Sequence, residues 1–204
     1  MNTNDYPQYP LEEIESEPKK DGAVSFLFDI LEMVAWSVFV MLLLFTFAFR
    51  ICRVEGSSME NTLHENETLL TYNLAYTPKQ DDIIVFHLTK PEINMEKTLV
   101  KRVIATGGQT LTIDYDNREI YVDGVLYADS HRVLKSFSDE IIDQYYTAGT
   151  YQYVIPEGKL FVLGDNRNNS NDSRNPAIGF IDEQCVLGKV IMRLQPFTVF
   201  SKEN

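Results

Sequence analysis

Three polar, glycine-containing segments carry the side chains capable of covalent chemistry. The first is Val54-Glu55-Gly56-Ser57-Ser58-Met59-Glu60-Asn61-Thr62-Leu63, with two adjacent hydroxyls. The second, Thr98-Leu99-Val100-Lys101-Arg102-Val103-Ile104-Ala105-Thr106-Gly107-Gly108, carries a lysine inside an apolar run. The third is Leu163-Gly164-Asp165-Asn166-Arg167-Asn168-Asn169-Ser170-Asn171-Asp172-Ser173-Arg174. A serine hydroxyl attacks a carbonyl poorly until a neighbouring base removes its proton. Lysine can be that base only when burial disfavours its ammonium form and lowers its pKa from about 10.4. A serine and a buried lysine would therefore support acyl transfer without metal or cofactor. Each segment alone also has a plainer reading: a turn, a solvent-facing lysine, a solvated Asn/Asp loop. Alternation sets Lys101 in one row with Leu99 and Val103, which suggests an inward direction. The other row, Val100, Arg102 and Ile104, is also mostly apolar, so alternation does not decide between them. The two arginines and two aspartates of the third segment are spaced to pair and fix their own loop.

The elements around these segments read as strands. Period-two or apolar runs occur at Glu67–Tyr72, Ile83–Leu88, Thr98–Ala105, Thr110–Asp114, Glu119–Val122, Tyr151–Ile155, Leu160–Leu163 and Val186–Leu194. Asp116-Asn117, Asp123-Gly124 and Glu157-Gly158 supply turns between them. Many short strands without intervening helical patterns predict a mainly β fold, an antiparallel, barrel-like domain with a loop or strand insertion. Ser130–Gly149 lacks a strand pattern and reads as a loop or short helix.

Ahead of the strands, Met33 to Phe49 is a 17-residue run without one charge, and from Phe26 the apolar segment has 24 residues. A bilayer core needs about 20 residues of helix. A soluble core helix of this kind would need protein on every side, and the remaining chain offers strands. A cleaved signal peptide would have a shorter apolar region, preceding positive charge and small residues at the cut. Here the preceding tail is acidic and Phe47-Ala48-Phe49-Arg50 follows, so an uncleaved transmembrane anchor is expected. The domains are then an acidic, disordered tail (1–23), an anchor helix (24–49) and a β domain (50–204). Lys19 and Lys20 flank one end of the anchor and Arg50 and Arg53 the other, so charge counting leaves its orientation open.

The 204 residues carry a formal charge of −12, which excludes a nucleic-acid binder with its basic footprint. Cys52 and Cys185 cannot build a disulfide framework, and His64, His87 and His131 are too scattered for a zinc site.

In order behind an anchor, the segments resemble the type I signal peptidases, membrane-bound serine proteases that cleave signal peptides from exported preproteins. Gly56-x-Ser58-Met59-x-x-Thr62-Leu63 is similar to the nucleophile box of that family. Asp82-Ile83-Ile84-Val85-Phe86 is similar to its next strand, and Lys101-Arg102-Val103-Ile104 to its lysine box. Gly164-Asp165-Asn166-Arg167-Asn168-Asn169-Ser170-x-Asp172-Ser173-Arg174 matches its last box almost residue for residue. The resemblance spans residues 24 to 200. It implies Ser58 as nucleophile, Lys101 as general base, Ser170 bonded near the lysine, and an Asp172–Arg174 salt bridge in support. Gly56 stands where some members have an oxyanion-binding serine, so backbone N–H groups, Ser58's own first, would hold the oxyanion. Asn61 stands for the usual Pro, Gly107 and Gln109 for the usual Pro and Asp, and Asp81 for the usual Gly. These departures touch loop geometry and no catalytic group.

The resemblance also implies substrates (signal peptides of exported preproteins), no cofactor, and residence in the cell membrane. It orients the chain with the tail cytoplasmic and residues 50–204 outside. Ser58 is eight residues past Arg50, so it stays within roughly 28 Å of the anchor's end. Other readings are a non-catalytic membrane-anchored binding module and a sortase-like cysteine transpeptidase using Cys185. A self-cleaving repressor shares the Ser–Lys chemistry but would lack the anchor.

Overall fold

The computed structural model describes residues 22–60, 62–91, 94–128, 148–195 and 197–200. Asn61, His131, the first 21 residues and nearly all of the Ser130–Gly149 stretch lie outside them. The chain divides after Leu43 into two units. The first holds most of helix α1 (Gly22–Ala48), 27 residues long. At 1.5 Å per residue it measures about 40 Å. Apart from Asp29, Glu32, Ser37 and Thr46 its side chains from Phe26 to Phe47 are apolar, and all of them are exposed, unlike a helix of a soluble core. Ser37 donates its hydroxyl to the Met33 carbonyl one turn back, 2.8 Å away, so this polar group is satisfied within the helix.

The second unit is β throughout. Its strands are β1 (Phe49–Arg53), β2 (Thr68–Tyr72), β3 (Ile83–Lys90), β4 (Met95–Thr106), β5 (Thr110–Asp114), β6 (Glu119–Val122), β7 (Val125–Leu126), β8 (Thr150–Val154), β9 (Lys159–Leu163), β10 (Ile181–Asp182), β11 (Val186–Gln195) and β12 (Phe197–Val199). The larger sheet runs β1-β2-β11-β3-β4-β9-β10, with β12 also on β11. The smaller runs β7-β6-β5-β8, and every pairing is antiparallel. The mainly antiparallel β domain behind one apolar helix is thus as expected, and the smaller sheet is the insertion, lying in sequence between β4 and β9. Strand order departs from chain order at one point of consequence: β11 lies between β2 and β3.

The central strands are covered on both faces. Ile83 to Phe86, Lys101 to Ala105 and Leu160 to Leu163 are each buried without a break. One apolar cluster gathers Ile84, Phe86, Val103, Leu160 and Val162, and another Ile83, Val85, Leu69 and Val190. A third joins the smaller sheet to the larger through Ile104, Leu111, Ile113, Ile120, Phe161 and Leu163. Asp123 (φ 52°) and Gly124 (φ 76°) both occupy the left-handed region, the turn geometry that matches the twist of a two-residue hairpin between β6 and β7.

Four strands have no counterpart in the sequence reading. β7 and β10 are two residues each, too short to show a period. β12 follows Pro196, and β1, with its two arginines, continues directly from the apolar helix. Cys185 ends a short 3-10 turn (Glu183–Cys185) before β11 and packs against an apolar cluster. Phe161 is fully buried, with its ring 4.9 Å from that of Tyr153 and 6.2 Å from that of Phe180. Phe161→Ala should cost about 3–5 kcal/mol in a chemical denaturation curve, while exposed Leu126→Ala should stay within about 0.5 kcal/mol.

Candidate active site

The segment carrying Ser58 leaves β1 and returns to β2 as a loop closed at its neck. Val54 donates its N–H to the Glu67 carbonyl, and Asn66 to that of Val54, both at 2.9 Å. Gly56 takes φ +80°, a conformation that L side chains rarely adopt. Met59 and Leu63 drop into the apolar cluster with Val54 and Leu69, pinning the loop on both sides of the turn. Ser58, between Gly56 and Met59, is thereby held at the surface of that cluster. Among the described residues no acceptor takes its backbone N–H.

Lys101 lies on β4 opposite Ile84 of β3 and is 2% exposed. Its Nζ reaches Ser58 Oγ at 2.6 Å and the Val100 carbonyl at 3.0 Å. Burial lowers its pKa from the ordinary 10.5 to about 8; Asp172 and Asp165 pull it back up, while Arg174 adds to the lowering. From Lys101 to Ala105 both rows of β4 are buried, which is why alternation alone could not settle the direction of Lys101.

The third segment closes the site from the end of β9. Asn166 donates its backbone N–H to the Ser58 carbonyl and its Nδ2 to that of Ser57, each at 3.0 Å. Asn169 Nδ2 donates to Ser57 Oγ at 2.8 Å. At Gly164 an added Cβ would stand 2.5 Å from the Ser58 carbonyl oxygen and 2.2 Å from Ser170 Oγ. Only glycine fits. Asp172 is fully buried and pairs with Arg174 through Nε at 2.8 Å and Nη2 at 2.9 Å, and it also accepts the Gly164 N–H at 3.0 Å. Burial alone would raise its carboxyl pKa, but the Arg174 charge, with these hydrogen bonds and one from Ser170, holds it below the usual range. Ser170 is itself buried beside this carboxylate. No metal or cofactor ligand set is needed to describe the site.

The Asp172–Arg174 pair occurs as the sequence suggested, but the second aspartate of the loop does not pair within it. Asp165 is held by Arg102 from β4, Nε to Oδ1 at 2.8 Å and Nη2 to Oδ2 at 2.7 Å, both residues buried. It also accepts the Thr62 hydroxyl at 2.5 Å. Arg167, the other arginine of the loop, turns its Nε to the Gly164 carbonyl at 2.9 Å. The available signal was Arg102 in a strand of apolar neighbours, where a guanidinium needs a carboxylate. The loop departures are accommodated. Gly107 lies where a Cβ would meet Glu157 Cα at 2.9 Å, and Gln109 Oε1 accepts the Thr106 N–H at 2.9 Å. Asp81 takes φ +72° in the position of the usual glycine. The cysteines are unsuited to nucleophilic work: burial pushes the Cys52 thiol up to about 11, and Cys185 is packed on the core.

An antiparallel β domain that brings a serine hydroxyl against a buried amine, beside a paired-carboxylate loop, holds the groups a serine peptidase requires. The chain belongs to the signal peptidase family, peptidase S26, whose sequence profile matches residues 27–195. It is similar to signal peptidase I of Bacillus licheniformis, 30% identical over 192 residues that cover 93% of this chain and all of the relative. Signal peptidase IB of Staphylococcus aureus is 33% identical over 161 residues, 72% of this chain and 78% of its own. A solved signal peptidase I from Enterococcus faecalis is 28% identical, covers 56% of this chain and 97% of its own, with a TM-score of 0.39. Members of the family are membrane-anchored serine endopeptidases that remove signal peptides, and this chain is one.

Gly164→Ala should abolish cleavage in a peptide assay, because the methyl must displace the Ser58 carbonyl or Ser170. Lys101→Met should stabilise the fold. Between pH 8 and 10.5 the unfolded lysine keeps a proton that the folded one has released, so stability rises with pH across that window. Below it the cost of burying the ammonium is full, about 3 kcal/mol. The gain from Lys101→Met, read from denaturation curves, should be largest below pH 8 and vanish above 10.5.

Proposed function

We propose that signal-peptide cleavage by this chain uses Ser58 as nucleophile and Lys101 as general base. The observation that carries the reading is the 2.6 Å contact between Lys101 Nζ and Ser58 Oγ, made by an amine whose pKa has fallen to about 8. In the neutral form the hydrogen bond runs the other way, the hydroxyl donating to the amine. Lys101 then takes the proton as Oγ attacks the scissile carbonyl, and the oxyanion accepts the Ser58 backbone N–H, with Gly56 opening the turn that exposes it. Lys101 returns the proton to the leaving amine. Water, deprotonated by the same lysine, then attacks the acyl group, and the lysine passes that proton to Ser58 Oγ as the acyl bond breaks. Each proton has a carrier, so neither metal nor cofactor is required. Ser170, Asp172 and Arg174 hold the loop and the local field around Lys101, and no bond is made or broken on them.

The membrane segment belongs to the same reading. A single-pass anchor over residues 24–49 would leave the acidic tail in the cytoplasm and residues 50–204 outside, where signal peptides emerge from the bilayer. The apolar, exposed surface of α1 supports the span, and the orientation rests on the family resemblance.

Ser58→Ala and Lys101→Met should each lower the cleavage rate by about a thousandfold or more without unfolding the protein. Replacing His64, His87 and His131 together with glutamine should leave most activity. The rate should rise as pH climbs through about 8, where Lys101 loses its proton. A folded but inactive histidine variant, or an active Lys101→Met, would reverse the assignment. Carbonate extraction should leave the chain in the membrane at full-length mass, and external protease should spare only the tail and anchor.

A further inference from the structure

The smaller sheet contributes a side chain that reaches toward the active-site strand. Tyr127 follows β7, its N–H donates to the Ile120 carbonyl at 2.7 Å, and its ring packs against the cluster joining the two sheets. Its hydroxyl donates to Asp81 Oδ1. Asp81 is exposed and left-handed, with φ +72°. No burial holds that conformation, which an L-residue adopts at a cost. What holds it is the Tyr127 hydroxyl at the side chain and the Val103 carbonyl, which accepts the Asp81 N–H at 2.9 Å.

The Asp81 carbonyl then accepts Arg102 Nη1 at 2.9 Å. Arg102 uses Nε and Nη2 on Asp165, so three acceptors around one rigid plane fix both its position and its rotation. Asp165 in turn holds Thr62, four residues past Ser58, and its neighbour Asn166 holds the Ser58 carbonyl. Arg102 is also the residue after Lys101. A guanidinium released from Asp81 can tilt about its bond to Asp165, and both the lysine strand and the serine loop are tied to that tilt.

We propose that Tyr127 is a positioning residue for cleavage, acting through Asp81 and Arg102 to set the separation of Ser58 and Lys101. It rests on the Ser58–Lys101 reading for its mechanism and not for its measurement. Tyr127→Phe removes the hydroxyl and keeps the packed ring. Asp81→Gly keeps the left-handed backbone and removes the carboxylate, and Asp81→Asn keeps an acceptor.

With the full chain in detergent and a signal-peptide substrate, Tyr127→Phe and Asp81→Gly should each lower kcat about tenfold with KM unchanged. The double variant should be no worse than either, because both break one path. Asp81→Asn should recover most of the loss. Melting temperature and labelling by a serine-acylating probe count the folded, competent sites, so kcat is taken per labelled protein. Wild-type kcat in Tyr127→Phe, multiplying losses in the double variant, or a loss wholly accounted for by unfolded protein overturns the proposal. A wild-type chain that the probe labels elsewhere than Ser58 tells against the dyad instead, and the kcat comparison still reads the tether.

Discussion

The molecule is organised around one unfavourable act, the removal of a lysine amine from water. A buried ammonium is expensive, and the chain relieves the cost by letting Lys101 approach neutrality, at a pKa of about 8. In the proposed dyad that relief is useful only because the amine meets the hydroxyl it would deprotonate. The rest of the site reads as the means of keeping Lys101 dry and Ser58 within reach. Around Lys101 β4 is buried on both faces, from Lys101 to Ala105, and Met59 and Leu63 fasten the serine loop to the core beside it.

Acids placed near such an amine work against it, since their charge favours the ammonium. Asp165 and Asp172 are both near enough to raise the pKa of Lys101. Each carries its own arginine, Arg102 or Arg174, so the carboxylates serve as structural acceptors, and Arg174 opposes part of their pull on the amine. The balance explains a lysine that is perturbed yet not driven so low that it would be too weak a base. Losing one arginine would therefore be more disruptive than losing a whole pair, because it would leave an uncompensated buried charge beside the amine.

Much of this was legible in the sequence where the information is local. The boundaries of β5 and β6 follow from apolar alternation and from Asp116-Asn117 and Asp123-Gly124, whose turn chemistry is short-range. The loop pair Asp172–Arg174 is two residues apart and could be read as a pair. Asp165 and Arg102 are 63 residues apart, and nothing in either neighbourhood names the other. Arg102 could be recognised as needing a carboxylate, but not which one. The direction of Lys101 was undecidable for a related reason: a strand covered on both sides has no polar row to mark its outside. Strand order is the least local property of all, and the place of β11 between β2 and β3 is written in no single segment.

That place has a consequence for the timing of assembly during synthesis. The serine loop hangs from β1 and β2, the lysine from β3 and β4, and these hairpins do not pair with each other; β11 alone bridges them in the sheet. A ribosome delivers β11 only after residue 185, well after Ser58 and Lys101 have left the exit tunnel. Until then the two hairpins share no strand pairing, and the loop at residues 164–174, which ties Thr62 to Arg102 through Asp165, links them. Such long-range closure is slow compared with hairpin formation. In the proposed dyad, the sheet that carries both Ser58 and Lys101 is therefore closed by one of the last strands of the chain.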